Sequence, residues 1–138
     1  MIVTFEDITY ELTEYERDIL LPRIVEGMKK AIGKDRVVKN VTARKVITAQ
    51  GYKCPDARFR KIIHYIRVHS LIPKLIATSK GYYIATDKEE IKTYVESLTQ
   101  RVNSINDVIT ALQNDLQDKP LELDLWTQKD LFSVKENL

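Results

Sequence analysis

Five residues that carry positive charge, or gain it on protonation, fall between positions 58 and 67: Arg58, Arg60, Lys61, His64 and Arg67, within the stretch DARFRKIIHYIRVHSL. Interleaved with them stand Phe59, Ile62, Ile63, Ile66 and Leu71, whose three- and four-residue spacing predicts a helix with one apolar face. That face anchors the helix to a core, and the basic residues occupy the faces left free. Arginine offers a planar fork that pairs bidentately with guanine edges, and either Lys or Arg clamps a phosphate. Arg44 and Lys45, upstream on a short helical stretch, and Lys80, in the turn Thr78-Ser79-Lys80-Gly81, add further cations. Together these residues are the candidate set for binding a polyanion: Arg44, Lys45, Arg58, Arg60, Lys61, His64, Arg67 and Lys80.

The distribution of charge supports that chemistry. The 138 residues carry a formal charge of only +2. Between Lys34 and Lys88, however, 13 Lys and Arg stand against 3 acids, for +10, and the remainder of the chain is −8. A surface that is merely solvated usually mixes both signs. A basic segment attracts phosphate by counterion release, while acidic flanks keep the molecule soluble. A length of 138 residues suits one folded unit with appendages. No apolar run reaches the roughly 20 residues of a bilayer span, and the first residues lack the pattern of a signal peptide, so a cytoplasmic location is expected. The lone Cys54 makes no internal disulfide, in keeping with a reducing compartment.

Positioning these cations requires several elements. Weak alternation at Ile8, Tyr10 and Leu12 suggests a short first strand. Thr13-Glu14-Tyr15-Glu16 matches a capping box and predicts a helix from Glu14. Its apolar residues Ile19, Leu20, Ile24, Met28, Ala31 and Ile32 keep a helical period up to Gly33, and Pro22 is expected to kink or divide it. Thr42 is read as the cap of a short helix from Ala43 to Gln50 that ends at Gly51, and Asp56 as the cap of the basic helix. Leu75-Ile76-Ala77 and Tyr82-Tyr83-Ile84-Ala85, joined through Gly81, read as a β-hairpin in which one tyrosine faces the core and the other the surface.

Helix, short helix, tight turn, basic helix and hairpin is the order of a winged helix-turn-helix, in which the third helix enters the major groove. The fold expected is therefore mostly α with a small β-hairpin: a winged helix-turn-helix in residues 1–86, a long coiled-coil-like helix in 87–118 and a tail in 119–138. Ala57-Arg58-Phe59-Arg60-Lys61-Ile62-Ile63, followed by Leu71-Ile72-Pro73, Ala77 to Tyr83 and the long helix, resembles the small winged-helix DNA-binding proteins of bacteriophages and prophages, over about Leu12 to Leu112. The resemblance implies a double-stranded DNA-binding role in phage or mobile-element biology, as a regulator or a replication accessory. The alternatives are a winged-helix protein-interaction adaptor and an RNA binder.

After Asp87, apolar residues recur at Ile91, Val95, Leu98, Val102, Ile105, Ile109, Leu112 and Leu116, spaced alternately by 4 and 3. This is a heptad seam. With β-branched Val95, Val102 and Ile109 at a, and Leu98, Ile105 and Leu112 at d, it predicts homodimerisation; its near end is also expected to pack on the helix from Glu14. Beyond Pro120 the apolar tail carries the only Trp and the run Gln128-Lys129-Asp130-Leu131-Phe132. That run resembles the Q-x-x-L-F peptide by which bacterial replication proteins bind the sliding clamp, with Gln128, Leu131 and Phe132 as the contacts and Lys129 departing from the usual leucine. The alternative is that the tail folds back on its own chain or a dimer mate.

No residue set suggests catalysis: there is no P-loop, no G-x-G-x-x-G and no G-x-S-x-G. His64 and His69 are spaced poorly for one helix face and Cys54 has no second thiol nearby, so neither a metal nor a cofactor is expected. Asn40-Val41-Thr42 fits the glycosylation pattern only by composition, and Tyr82 or Tyr83 would stack on bases only if the target were single-stranded.

Overall fold

The computed structural model describes residues 11–118. The capping box forms: the Glu16 amide donates to Thr13 Oγ1 at 3.2 Å, and the Thr13 amide donates to Glu16 Oε1 at 2.8 Å. A helix therefore starts at Glu14. It is not uniform. Glu16–Leu20 is a π-helical turn, closed by the Leu21 amide donating to the Glu16 carbonyl, and α1 then runs over Leu21–Met28. Pro22 accounts for the division: it has no N–H to return to the preceding turn, so the ladder is interrupted ahead of it and the proline falls in the first turn of α1, where no donor is needed. The Ile19 carbonyl accepts from the Arg23 guanidinium at 2.8 Å.

α1 stops at Met28, short of the Gly33 that its apolar period reaches. Ala31 and Ile32 leave the helix to pair with the hairpin: the Ile84 amide donates to the Ala31 carbonyl at 2.7 Å and the Gly33 amide to the Ile84 carbonyl at 2.9 Å. After a 3-10 turn at Lys34–Arg36, Val38 and Tyr82 exchange two backbone hydrogen bonds of 2.9 Å. α2 occupies Asn40–Ala49, beginning three residues before the expected Ala43. Thr42 thus lies inside the first turn, and the extended Lys39 precedes the helix without a side-chain cap. α3 occupies Asp56–Val68; Asp56 is its first helical residue rather than its cap. α3 is shorter than the sequence suggests because Ser70 turns the chain at φ 50, leaving Leu71 exposed and Ile72 buried in its place.

β1 (Leu75–Thr78) and β2 (Gly81–Ile84) form an antiparallel hairpin in the register Leu75↔Ile84 to Thr78↔Gly81, closed by Ser79 and Lys80. Gly81 adopts φ +134, and a Cβ there would run into the Val38 carbonyl and lie 2.8 Å from Val37 Cγ1. Only glycine admits the segment at Val38 so close to the hairpin. α4 then spans Lys88–Asp118, its start capped by the Asp87 carboxylate, which accepts from the Glu90 amide at 2.9 Å.

Two cores follow from strand alternation. Leu75 joins Leu20, Ile24, Met28, Ile47, Phe59, Ile62, Ile63 and Ile66 on one side, with Leu12, Tyr82 and Ile84 packed against them. On the other side, Ile76, Tyr83 and Ala85 meet Val37, Ile91 and Tyr94. Tyr83 is buried and Tyr82 half-buried, its ring 6.2 Å from that of Phe59. The near end of α4 therefore packs on the hairpin rather than on the helix from Glu14, because the second hairpin face is itself apolar. Among the described residues, those up to Ser97 form one compact unit and those from Leu98 a second. Of the suggested first strand only Leu12 falls within the described residues, and the tail with Gln128, Leu131 and Phe132 lies outside them. No described helix is long and apolar enough to cross a membrane.

Candidate nucleic-acid interface

The eight candidate cations divide according to which face of its helix each occupies. Arg58 and Lys61, three residues apart on α3, turn toward the start of the Glu14 helix and close on one carboxylate. Lys61 Nζ lies 2.8 Å from Glu16 Oε1, and Arg58 Nε lies 3.2 Å from Glu16 Oε2. Glu16 is 3% exposed, and the Arg58 guanidinium also sits 5.2 Å from the Tyr15 ring centroid. Burial pushes the Glu16 carboxyl up, but the Lys61 ammonium and the Thr13 amide outweigh it and hold the group below its ordinary value. Both cations, which the sequence reading set on a free face, thus serve an internal ion-pair cluster. The apolar spacing of α3 was read correctly; what it did not show is that an acid on a distant segment covers the flank of that stripe.

Arg67 is also engaged. Its guanidinium donates to the Tyr94 hydroxyl at 2.6 Å and lies 5.9 Å from the ring centroid, which ties the end of α3 to α4. Lys45 is exposed on α2, and His64 is exposed on α3 one turn beyond Arg60.

The structure brings Arg44, Arg60 and Lys80 together with Lys39 around an open groove of about 650 Å³ between the hairpin tip and the first turns of α2 and α3. The four cations arrive from three pieces of chain: Lys39 and Arg44 from the start of α2, Arg60 from α3 and Lys80 from the two-residue turn. Arg44 Nε donates to Asn40 Oδ1 at 2.5 Å and lies 3.9 Å from Asp56, while Arg60 Nε lies 2.9 Å from Asp56. These pairs are half or more exposed except at Arg44, so they orient the guanidinium groups more than they stabilise the fold. The Asn40 side-chain amide nitrogen is buried and has no partner among the described residues.

Two contributors were not singled out from sequence. Lys39 becomes part of the site only because α2 begins at Asn40, and Asn40 carries no sequence signal beyond its glycosylation pattern. The turn between α2 and α3 that holds these pieces in place is fastened to the first helix. Arg23 stacks at 4.1 Å on the Tyr52 ring and donates to its hydroxyl at 2.7 Å, and the Tyr15 hydroxyl donates to the Lys53 carbonyl at 3.0 Å.

Among the described residues no group of three or more His, Cys, Asp or Glu is arranged to hold a metal ion. Cys54 is buried, and burial pushes its thiol up. Comparison with protein-family models, with curated proteins and with solved structures found no match for this chain.

Proposed function

We propose that the chain is a duplex DNA-binding protein built as a winged helix-turn-helix, with α3 as the recognition helix and the β1–β2 turn as the wing. One observation carries the reading: Lys39, Arg44, Arg60 and Lys80 converge from three elements on a single groove, whose only acid among the described residues is Asp56. In this arrangement Arg60 and His64, on the outward face of α3, address base edges, while Lys39, Arg44, Lys45 and Lys80 clamp the flanking phosphates. The resemblance to phage and prophage proteins extends the proposal to a regulator or replication accessory of a mobile element.

The test is a fluorescence-anisotropy titration of labelled duplex DNA, single-stranded DNA and RNA across a salt series. Duplex is expected to bind tightest, and Arg60→Ala with Lys80→Ala to weaken it at least tenfold. If both touch phosphate, the double substitution also lowers the salt slope by roughly 2. Equal affinity of wild type and double variant for duplex would overturn the site, and preference for RNA or single strand would overturn the choice of target.

A second reading, a protein-binding adaptor, is favoured by one feature. An apolar groove of about 550 Å³ runs between α1 and α2, lined by Pro22, Met28, Ala43 and Ile47, with Val46 54% exposed beside it. Binding of no nucleic acid in the same titration would favour this reading.

A further inference from the structure

α4 is 31 residues long, yet among the described residues only its beginning packs into a core. Ile91 and Tyr94 pack on the hairpin, Leu98 is half-buried, and every residue from 101 to 117 is exposed. The exposed set includes Val102 at 55%, Ile105 at 60%, Val108 at 58%, Ile109 at 45%, Leu112 at 59% and Leu116 at 77%. A stripe of this kind is not how a soluble helix ends when it stands alone.

The local sequence sharpens the point. Val102, Asn103, Ile105, Asn106, Val108 and Ile109 are all weak helix formers, because β-branched side chains lose rotamer freedom in a helix and Asn competes for the backbone. The second unit contains a single alanine before the helix ends, Ala111. In proteins most helical stability comes from packing of an apolar face rather than from propensity. Continuous helix to Asp118 is therefore explained by packing of the seam, and within the described chain nothing covers it.

We infer that the cover is a second copy of this chain, paired through α4 as a parallel two-stranded coiled coil. The seam Val95, Leu98, Val102, Ile105, Ile109, Leu112 and Leu116 keeps its alternation for three heptads, the length at which such a seam becomes a specific pairing signal. It contains no polar residue; three of its four a positions (Val95, Val102 and Ile109, with Leu116 the fourth) are β-branched and two of its three d positions are Leu (Leu98 and Leu112, with Ile105 between them), the pattern that favours two parallel strands. The flanking e and g positions do not oppose self-pairing. Between Val95 and Leu116 they hold only Arg101 and Asp115 as charges, and in parallel register Arg101, at g, meets Asn106, at e, of the other copy rather than its own counterpart. A stripe that matches itself, flanked by residues that repel neither copy, identifies the partner as the same chain. This inference stands independently of DNA binding.

Sedimentation equilibrium of the full chain tests it, together with disulfide cross-linking of Val102→Cys and Leu112→Cys variants. The expected result is a species of twice the chain mass, converted to monomer by Val102→Asp with Ile109→Asp. Both cysteine variants should cross-link to themselves, since parallel in-register strands bring each seam position against its own copy. Buried Cys54 alone should not. An antiparallel pair would cross-link at most at the position nearest its centre and would overturn the orientation. A wild-type monomer, a higher oligomer, or a dimer that survives both aspartates would overturn the proposal. Circular dichroism of the aspartate variant provides the control for folding: helical signal from α1 to α3 should remain while part of the α4 signal is lost, and a fully unfolded variant shifts the decision to the cross-links.

Discussion

Replacing Glu16 with alanine removes a carboxylate that two segments of chain share, and the loss can be worked from its contacts. Oε1 accepts from the Thr13 amide and the Lys61 ammonium, both at 2.8 Å, and Oε2 from the Arg58 guanidinium at 3.2 Å. Losing the reach-back of the capping box costs about 0.5–1 kcal/mol. Breaking a fully buried ion pair costs about 3–5 kcal/mol, but Lys61 and Arg58 keep side-chain exposures of 23% and 34% and rehydrate in part. Counting roughly 1–1.5 kcal/mol for each brings the total to about 2.5–4 kcal/mol. For a unit of this size that is a fall in Tm of roughly 10–20 °C, read by calorimetry at pH 7. The sign with pH follows from a folded-state carboxyl held below its ordinary 4.5. Its contribution is fully present above that value and disappears as pH falls through the folded value. The stability gap between wild type and Glu16→Gln should accordingly hold steady from pH 7 to about 5 and narrow below 4.5. A Tm for Glu16→Ala within about 2 °C of wild type, or a gap that widens on acidification, would refute the reasoning.

The same cluster predicts that Arg58→Ala with Lys61→Ala lowers thermal stability but, below the melting range, changes duplex affinity less than threefold. A loss matching that of Arg60→Ala with Lys80→Ala in the anisotropy titration would return both residues to the interface. Gly81→Ala must push the Val38 segment off the hairpin, at a cost of about 1–3 kcal/mol. Hydrogen exchange at the Val38 and Tyr82 amides reads this directly, and unchanged protection would contradict it. The Cys54 thiol, protonated and buried, should react with a disulfide reagent at neutral pH only as fast as the fold opens. Rapid labelling of the folded protein would show that the thiol is accessible.

What sequence revealed and what it hid divide along local and non-local physics. The capping box at Thr13 and Glu16, the interruption ahead of Pro22, the hairpin turned at Gly81 and the apolar stripe of α3 each rest on neighbours within a few residues, and each forms. Ala31 and Ile32 were misread because their spacing continued a helix while the backbone of Ile84, some fifty positions away, claimed them. The site divided in the same way. Arg60 and Lys80 were identifiable from charge and turn chemistry. The commitment of Arg58 and Lys61 was not, because it depends on a carboxylate more than forty residues upstream whose only local signature is the cap that it also makes. Lys39 was hidden by a three-residue error in where α2 starts, the kind of shift that moves a residue from connection to interface.

The π-helical turn at Glu16–Leu20 has a genetic consequence. Such a turn holds one residue more than the α-helix it interrupts, so it is equivalent to a single inserted amino acid. Deleting the codon for Asp18 would heal the helix: the Leu21 amide, which reaches back five residues to the Glu16 carbonyl, would reach back four, and the residues ahead of the deletion would keep their phase relative to α1. Glu16 would still face Arg58 and Lys61, and Tyr15 the Lys53 carbonyl. The same deletion within α1 has no extra residue to absorb it and would turn those contacts away by about 100°. The π-turn should therefore tolerate the loss of one residue far better than the helix that follows it.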